Sequence, residues 1–141
     1  MKLELDNILC ERYPYIMVNR YQTMNVTCMC WGFECGDGWF TILDQLMSKI
    51  QHHIDWKNKK DIEVPQVTFD QVKEKFGSLR IYYSGGDDVI DGMVQMAQSM
   101  SSVTCEQCGN PGSMRGRGWL YTSCNTHAKP LDQESEVKET K

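Results

Sequence analysis

Apolar positions recur with a helical period from Trp39 onward: Leu43, Leu46, Met47, Ile50 and Ile54. Asp44, Gln45, Ser48 and Lys49 fall off that stripe. The spacing predicts an amphipathic helix. Asp37, between Gly36 and Gly38, is expected to cap its start, and the polar stretch "NKKD", residues 58–61, to end it. Downstream, "QVTFDQVKEKFGSLRIYY" alternates and predicts a hairpin. Val67 and Phe69 share one phase, Val72 and Phe76 the other, so a bulge or bend is expected between Phe69 and Val72. Gly77 supplies the turn, and Leu79, Ile81 and Tyr83 continue on one face. "SGGDD" then starts a second helix, capped by Asp87 or Asp88. Its stripe is Val89/Ile90, Met93, Met96/Ala97 and Met100, which reads as core packing.

The first 25 residues have no clean period, and Pro14 biases Tyr13 toward extended structure. Residues 26–33, "VTCMCWGF", read as a short strand. Cys28 and Cys30 would share one face, Met29 and Trp31 the other. The tryptophans of this stretch are expected to serve the core. Residues 129–141 have no aromatic and few apolar residues, which predicts a disordered tail.

Composition changes this picture little. The chain has 141 residues, 40% apolar and 24% charged, an ordinary balance for one globular domain. Its net charge of −4 provides no general attraction for nucleic acid or an anionic membrane. The start, "MKLELDNILCERYP", has no sustained apolar run, so no signal peptide is expected and the cytoplasm is the expected compartment. Seven cysteines, an odd number, then favour metal ligation and free thiols over a disulfide framework.

The strongest chemical signal lies in "CEQCGNPGSMRGRGWLYTSCNTH". Cys105, Cys108, Cys124 and His127 form a C-x2-C-x15-C-x2-H pattern. Two thiolates from one tight turn and a second paired set suit a tetrahedral zinc ion. "GNPG" gives the turn after the first pair, "RGRGWLYTS" a small returning hairpin, and "CNTH" the start of a short helix. That is the outline of a treble-clef-like finger holding one structural Zn²⁺. The expected architecture is α+β. Residues 1–104 form a core of two amphipathic helices on a small antiparallel sheet, and residues 105–128 form the zinc module.

Other candidates are weaker. Cys28, Cys30 and Cys35 could take a second metal with Cys10 or a histidine, but C-x-C-x4-C lacks paired geometry, and buried free thiols are the simpler reading. Glu34, Asp37, Asp70, Lys73, Glu74, Lys75 and Arg80 suggest a metal-dependent hydrolase or nuclease. Yet adjacent Glu74 and Lys75 would point to opposite faces of a strand, so a solvated, salt-bridged face is favoured. His52 and His53 are neighbours about 100° apart on a helix and clamp one ion poorly. Residues 105–130 hold Arg115, Arg117 and Lys129 against Glu106 alone. With Trp119 and Tyr121 they form a candidate binding surface for a phosphate backbone and a base, or for an acidic protein.

Segments "ERYP", "TCMCWGFECGDGW", "VKEKFGSLRIYYSGG", "TCEQCG" and "GWLYTSCNTH" together resemble a family of small bacteriophage- and prophage-type proteins. The resemblance spans most of residues 10–128. It implies the C-terminal zinc motif and a phage setting, and no particular activity. The leading expectation is a zinc-stabilised protein-interaction module that modulates a host protein, such as a defence protein. A nucleic-acid-binding zinc module and a small hydrolase are the alternatives.

Overall fold

The computed structural model describes residues 1–137, with side chains through Gln133. The fold is α+β. Helix α1 (Leu3–Arg12) leads, by an irregular segment, to β1 (Phe33–Glu34) and then α2 (Phe40–Lys59). Strands β2 (Thr68–Lys75) and β3 (Ser78–Ser84) form the hairpin, and α3 (Asp88–Ser101) follows. A second, two-stranded sheet pairs β4 (Ser113–Arg115) with β5 (Tyr121–Ser123), and α4 (Pro130–Val137) comes last. No helix among the described residues is long and apolar enough to cross a membrane.

The larger sheet has the order β1-β2-β3 and is mixed, where an antiparallel sheet was expected. Strands β2 and β3 are antiparallel, but β1 joins β2 in parallel, Phe33 beside Val72. A connection through the whole of α2 brings the chain back in the same direction. The register shifts between Phe69 and Gln71, where the hydrophobic phase changes. Phe69, Val72, Leu79 and Ile81 are buried, as are Leu43, Leu46, Met47, Ile50 and Ile54 of α2.

Three local expectations fail. Residues 28–31 form a 3-10 turn, not a strand. Thr27 Oγ1 accepts from Met29 N at 3.0 Å, and Gly32 ends the turn at φ +74°. The alternation is lost: Met29 is buried while Trp31 is 61% exposed. Asp37 does not cap α2. It starts a 3-10 turn, Asp37–Trp39, and its carboxylate accepts from Lys2 N at 2.8 Å. Residues 130–137, expected in a disordered tail, form α4. Pro130 suits a first helical position, and Gln133 Nε2 donates to Ala128 O at 2.8 Å. The remainder of that expected tail, residues 138–141, lies outside the described residues.

Helix α3 is capped by Asp87, whose side chain accepts from Ile90 N at 3.0 Å. Its buried face is Ile90, Val94, Ala97 and Ser101, so of the expected stripe Ile90 and Ala97 join the core, Met93 packs against it, and Met96 and Met100 do not. The reason is the edge of β3. Leu79 N donates to Ser101 Oγ at 2.8 Å and Ile81 N to Gln98 Oε1 at 3.0 Å. Helix side chains thus cover backbone groups that an open sheet edge would expose. This rotation leaves Met96 and Met100 exposed. Together with Met93, Ile42 and Leu46 they line an apolar groove of about 460 Å³ between α2 and α3. Lys49 lines the same groove and makes no hydrogen bond or ion pair among the described residues.

Candidate metal centre

Cys105 and Cys108 sit on a tight turn directly after α3. The turn closes with Gly109 N donating to Cys105 O at 2.9 Å and Cys105 N to Asn110 O at 2.8 Å. The β4–β5 hairpin returns the chain, and a 3-10 turn, Asn125–His127, presents His127. The three sulfurs and one imidazole nitrogen all lie within 4.8 Å of one another. Cys108 Sγ is 3.7 Å from Cys124 Sγ. His127 Nδ1 is 3.6 Å from Cys105 Sγ and 3.2 Å from Cys124 Sγ. Tetrahedral zinc with Zn–S near 2.3 Å and Zn–N near 2.0 Å needs S···S edges of about 3.8 Å and S···N edges of about 3.5 Å. The spacing therefore suits one ion, and these four residues could hold it.

The electrostatics favour a thiolate at Cys105. Burial pushes the Cys105 thiol up, but backbone N–H donors from Cys124, Cys108 and Gln107 outweigh it and bring it down to about 6. A metal-binding cysteine needs this bias, because thiolate is the ligand. Cys10 and Cys35 are shifted the opposite way from Cys105. Burial, then the Asp6 carboxylate, pushes Cys10 up to about 11. Burial takes Cys35 to about 12. Cys30 is half-buried, and Cys28 is exposed rather than buried. No second group of three or more His, Cys, Asp or Glu side chains is placed to hold an ion among the described residues.

"GDGW" has a role that sequence reading missed. It is the seat on which the Cys105–Cys108 turn rests. Gly38 N donates to Glu106 O at 2.7 Å, and Gly36 N to Glu106 Oε2 at 2.8 Å. Trp39, fully buried, donates from Nε1 to Thr104 O at 2.9 Å. A Cβ on Gly38 would stand 2.1 Å from Cys105 O. Only glycine allows the two backbones to come this close. A second contact lies at the β2–β3 turn, where Thr122 Oγ1 donates to Gly77 O at 2.5 Å. The signal was present as two glycines around a polar residue and before a tryptophan, but their partner lies about seventy residues away.

Gly38→Ala is therefore expected to cost about 1–3 kcal/mol, the range for overpacking. Gly92→Ala, in α3 with nothing within 4 Å of the new methyl, should instead gain about 0.5–1 kcal/mol. Thermal unfolding of the two variants checks the contrast; equal shifts would remove the seat.

The candidate binding surface divides. Arg115 Nε donates to Ser123 O at 3.2 Å. Tyr121 donates from its hydroxyl to Asp132 and accepts there from Lys129 N at 2.9 Å. Lys129 Nζ covers its ring at 4.8 Å. Tyr121 is thus engaged within the module, whereas Arg117 and Trp119 project into solvent. The polar set considered for hydrolysis divides: Glu34, Lys73 and Arg80 are register neighbours across β1, β2 and β3, and the other carboxylates have partners elsewhere. Asp37 meets Lys2, Asp70 accepts from Ser84 Oγ at 2.8 Å, and Glu74 Oε1 accepts from Gly77 N at 2.8 Å. His53 pairs with Asp87 at 2.8 Å, and His52 is exposed. Comparison with protein-family models, curated proteins and solved structures finds no match.

Proposed function

We propose that this chain is a zinc-stabilised protein-interaction module. The turn at 105–109, the β4–β5 hairpin and the turn at 125–127 make a treble-clef-like finger in this reading. Four protein donors fill a tetrahedral zinc shell, so the ion is structural and no coordination position is left for substrate. The observation that carries the protein-partner reading is the groove between α2 and α3. Ile42, Leu46, Met93, Met96 and Met100 offer an adaptable apolar trough between two helices. Such a trough suits the apolar face of an amphipathic helix, with Lys49 set to meet an acidic residue on its flank. The resemblance to phage-type proteins makes a host protein in the cytoplasm the natural partner, with inhibition or modulation as the outcome.

Met96→Glu tests this. Met96 is 63% exposed, so the charge should leave the fold intact. A partner captured saturably by the native chain should be lost to this variant. Saturable capture that survives Met96→Glu, or no saturable partner at all, would contradict the reading.

A further inference from the structure

A second surface lies where the tip of the β2–β3 hairpin meets the loop joining β4 and β5. A recess of about 210 Å³ is lined there by Glu74, Lys75, Phe76, Gly118, Trp119 and Leu120. Phe76 is 66% exposed and Trp119 74% exposed. Neither belongs to the buried core or packs against it.

Phe76 is also strained. It has φ +53° and Gly77 φ +83°, positive at both central residues of the two-residue turn between Lys75 and Ser78. Such a turn favours Asn-Gly, and a bulky aromatic in the left-handed region is an outlier. An exposed aromatic returns little burial energy for that strain. Strain kept at an exposed side chain points to a contact outside the fold.

Two cations stand at the recess. Lys75 Nζ lies 5.6 Å from the Phe76 ring centroid. Arg117 is exposed between Gly116 and Gly118, two residues before Trp119. The one carboxylate in the lining, Glu74, accepts from the Gly77 N–H at 2.8 Å. Lys75 and Arg117 against Glu74 leave a local charge of +1 on a chain of net charge −4.

From this geometry we infer that the recess binds single-stranded nucleic acid. One base stacks against Trp119 and Phe76, and Lys75 and Arg117 hold the flanking phosphates. Aromatic faces need an unstacked base, which a duplex does not offer. An acidic peptide would satisfy the cations and leave the aromatics without their stacking partner. This goes beyond the protein partner proposed for the groove and uses different elements.

The test titrates labelled oligothymidylate and oligouridylate into the zinc-loaded full chain at low salt, with a duplex and polyglutamate beside them. Saturable binding to at least one single strand, tighter than to duplex, is expected, with quenching of tryptophan emission. Trp119→Ala and Phe76→Asn should each weaken it about tenfold or more. Phe76→Asn also relieves the turn, so thermal stability should hold or rise while binding falls. Lys75→Ala and Arg117→Ala should each reduce the salt slope by about 1. Met96→Glu should leave this binding unchanged, which separates it from the groove. No saturable binding, equal binding of duplex, indifference to both aromatic variants, or polyglutamate binding that depends on them would overturn the inference.

Discussion

Stripping zinc from the proposed site with a chelator is expected to unfold the C-terminal module and to loosen the core at Trp39. Structural zinc contributes on the order of 10 kcal/mol to folding a small metal site. A domain of this size is stable by only about 5–15 kcal/mol. The ion therefore has the scale of the whole folding free energy. The loss should not stay local, because the Cys105–Cys108 turn is joined to the core by Gly36, Gly38 and Trp39 through Glu106 and Thr104. Without the ion, three thiols and an imidazole within 4.8 Å have no common partner. A steep fall in Tm and a red shift of tryptophan emission should follow chelation, and Cys105→Ser should reproduce both. An unchanged Tm after verified metal removal would mean that the module holds its shape without the ion.

Arg20→Ala is expected to cost about 3–5 kcal/mol, the range for breaking a buried ion pair. Asp6 and Arg20 are the most deeply buried of the ion pairs among the described residues, with side chains 5% and 14% exposed. Arg20 Nε donates to Asp6 Oδ1 at 3.0 Å, and its Nη1 donates to Cys30 O at 3.1 Å. Asp6 Oδ2 also accepts from Phe33 N at 3.3 Å. The pair thus ties α1, the 28–31 turn and β1 together. Removing the guanidinium strands a carboxylate under the fold with too few donors. Urea unfolding should show a lower midpoint at unchanged slope. A loss below about 1 kcal/mol, as exposed pairs give, would show that water compensates the site.

The most legible elements are those whose burial follows a short period. In α2 the apolar stripe from Leu43 to Ile54 is the buried stripe. The Cys/His cluster was legible for a different reason: C-x2-C and C-x2-H spacings encode the geometry locally. Helix α1 was not legible because its buried residues are Leu9 and Asp6. The anchor of Asp6 is an arginine fourteen positions away, which leaves no periodic trace. The 28–31 turn was hidden because Thr27 bonds to both Met29 N and Asp70 O, the latter at 3.1 Å, and overrides the apparent alternation. In α3 the period was right and the face was displaced: Ile90 and Ala97 are buried, but Met96 and Met100 are not. Gln98 and Ser101 turn toward the β3 edge, a polar demand that a hydrophobic pattern does not register. The stretch "GDGW" shows the same limit, since its glycines answer to backbone atoms near Cys105.

The proposed module requires a closed, structural zinc centre built by Cys105, Cys108, Cys124 and His127. X-ray absorption at the zinc edge of the purified, metal-loaded chain tests it most directly. One zinc ion per chain is expected, with three sulfurs at about 2.3 Å, one nitrogen at about 2.0–2.1 Å and no water bound to it. A shell with an oxygen from water and fewer than three sulfurs would contradict it.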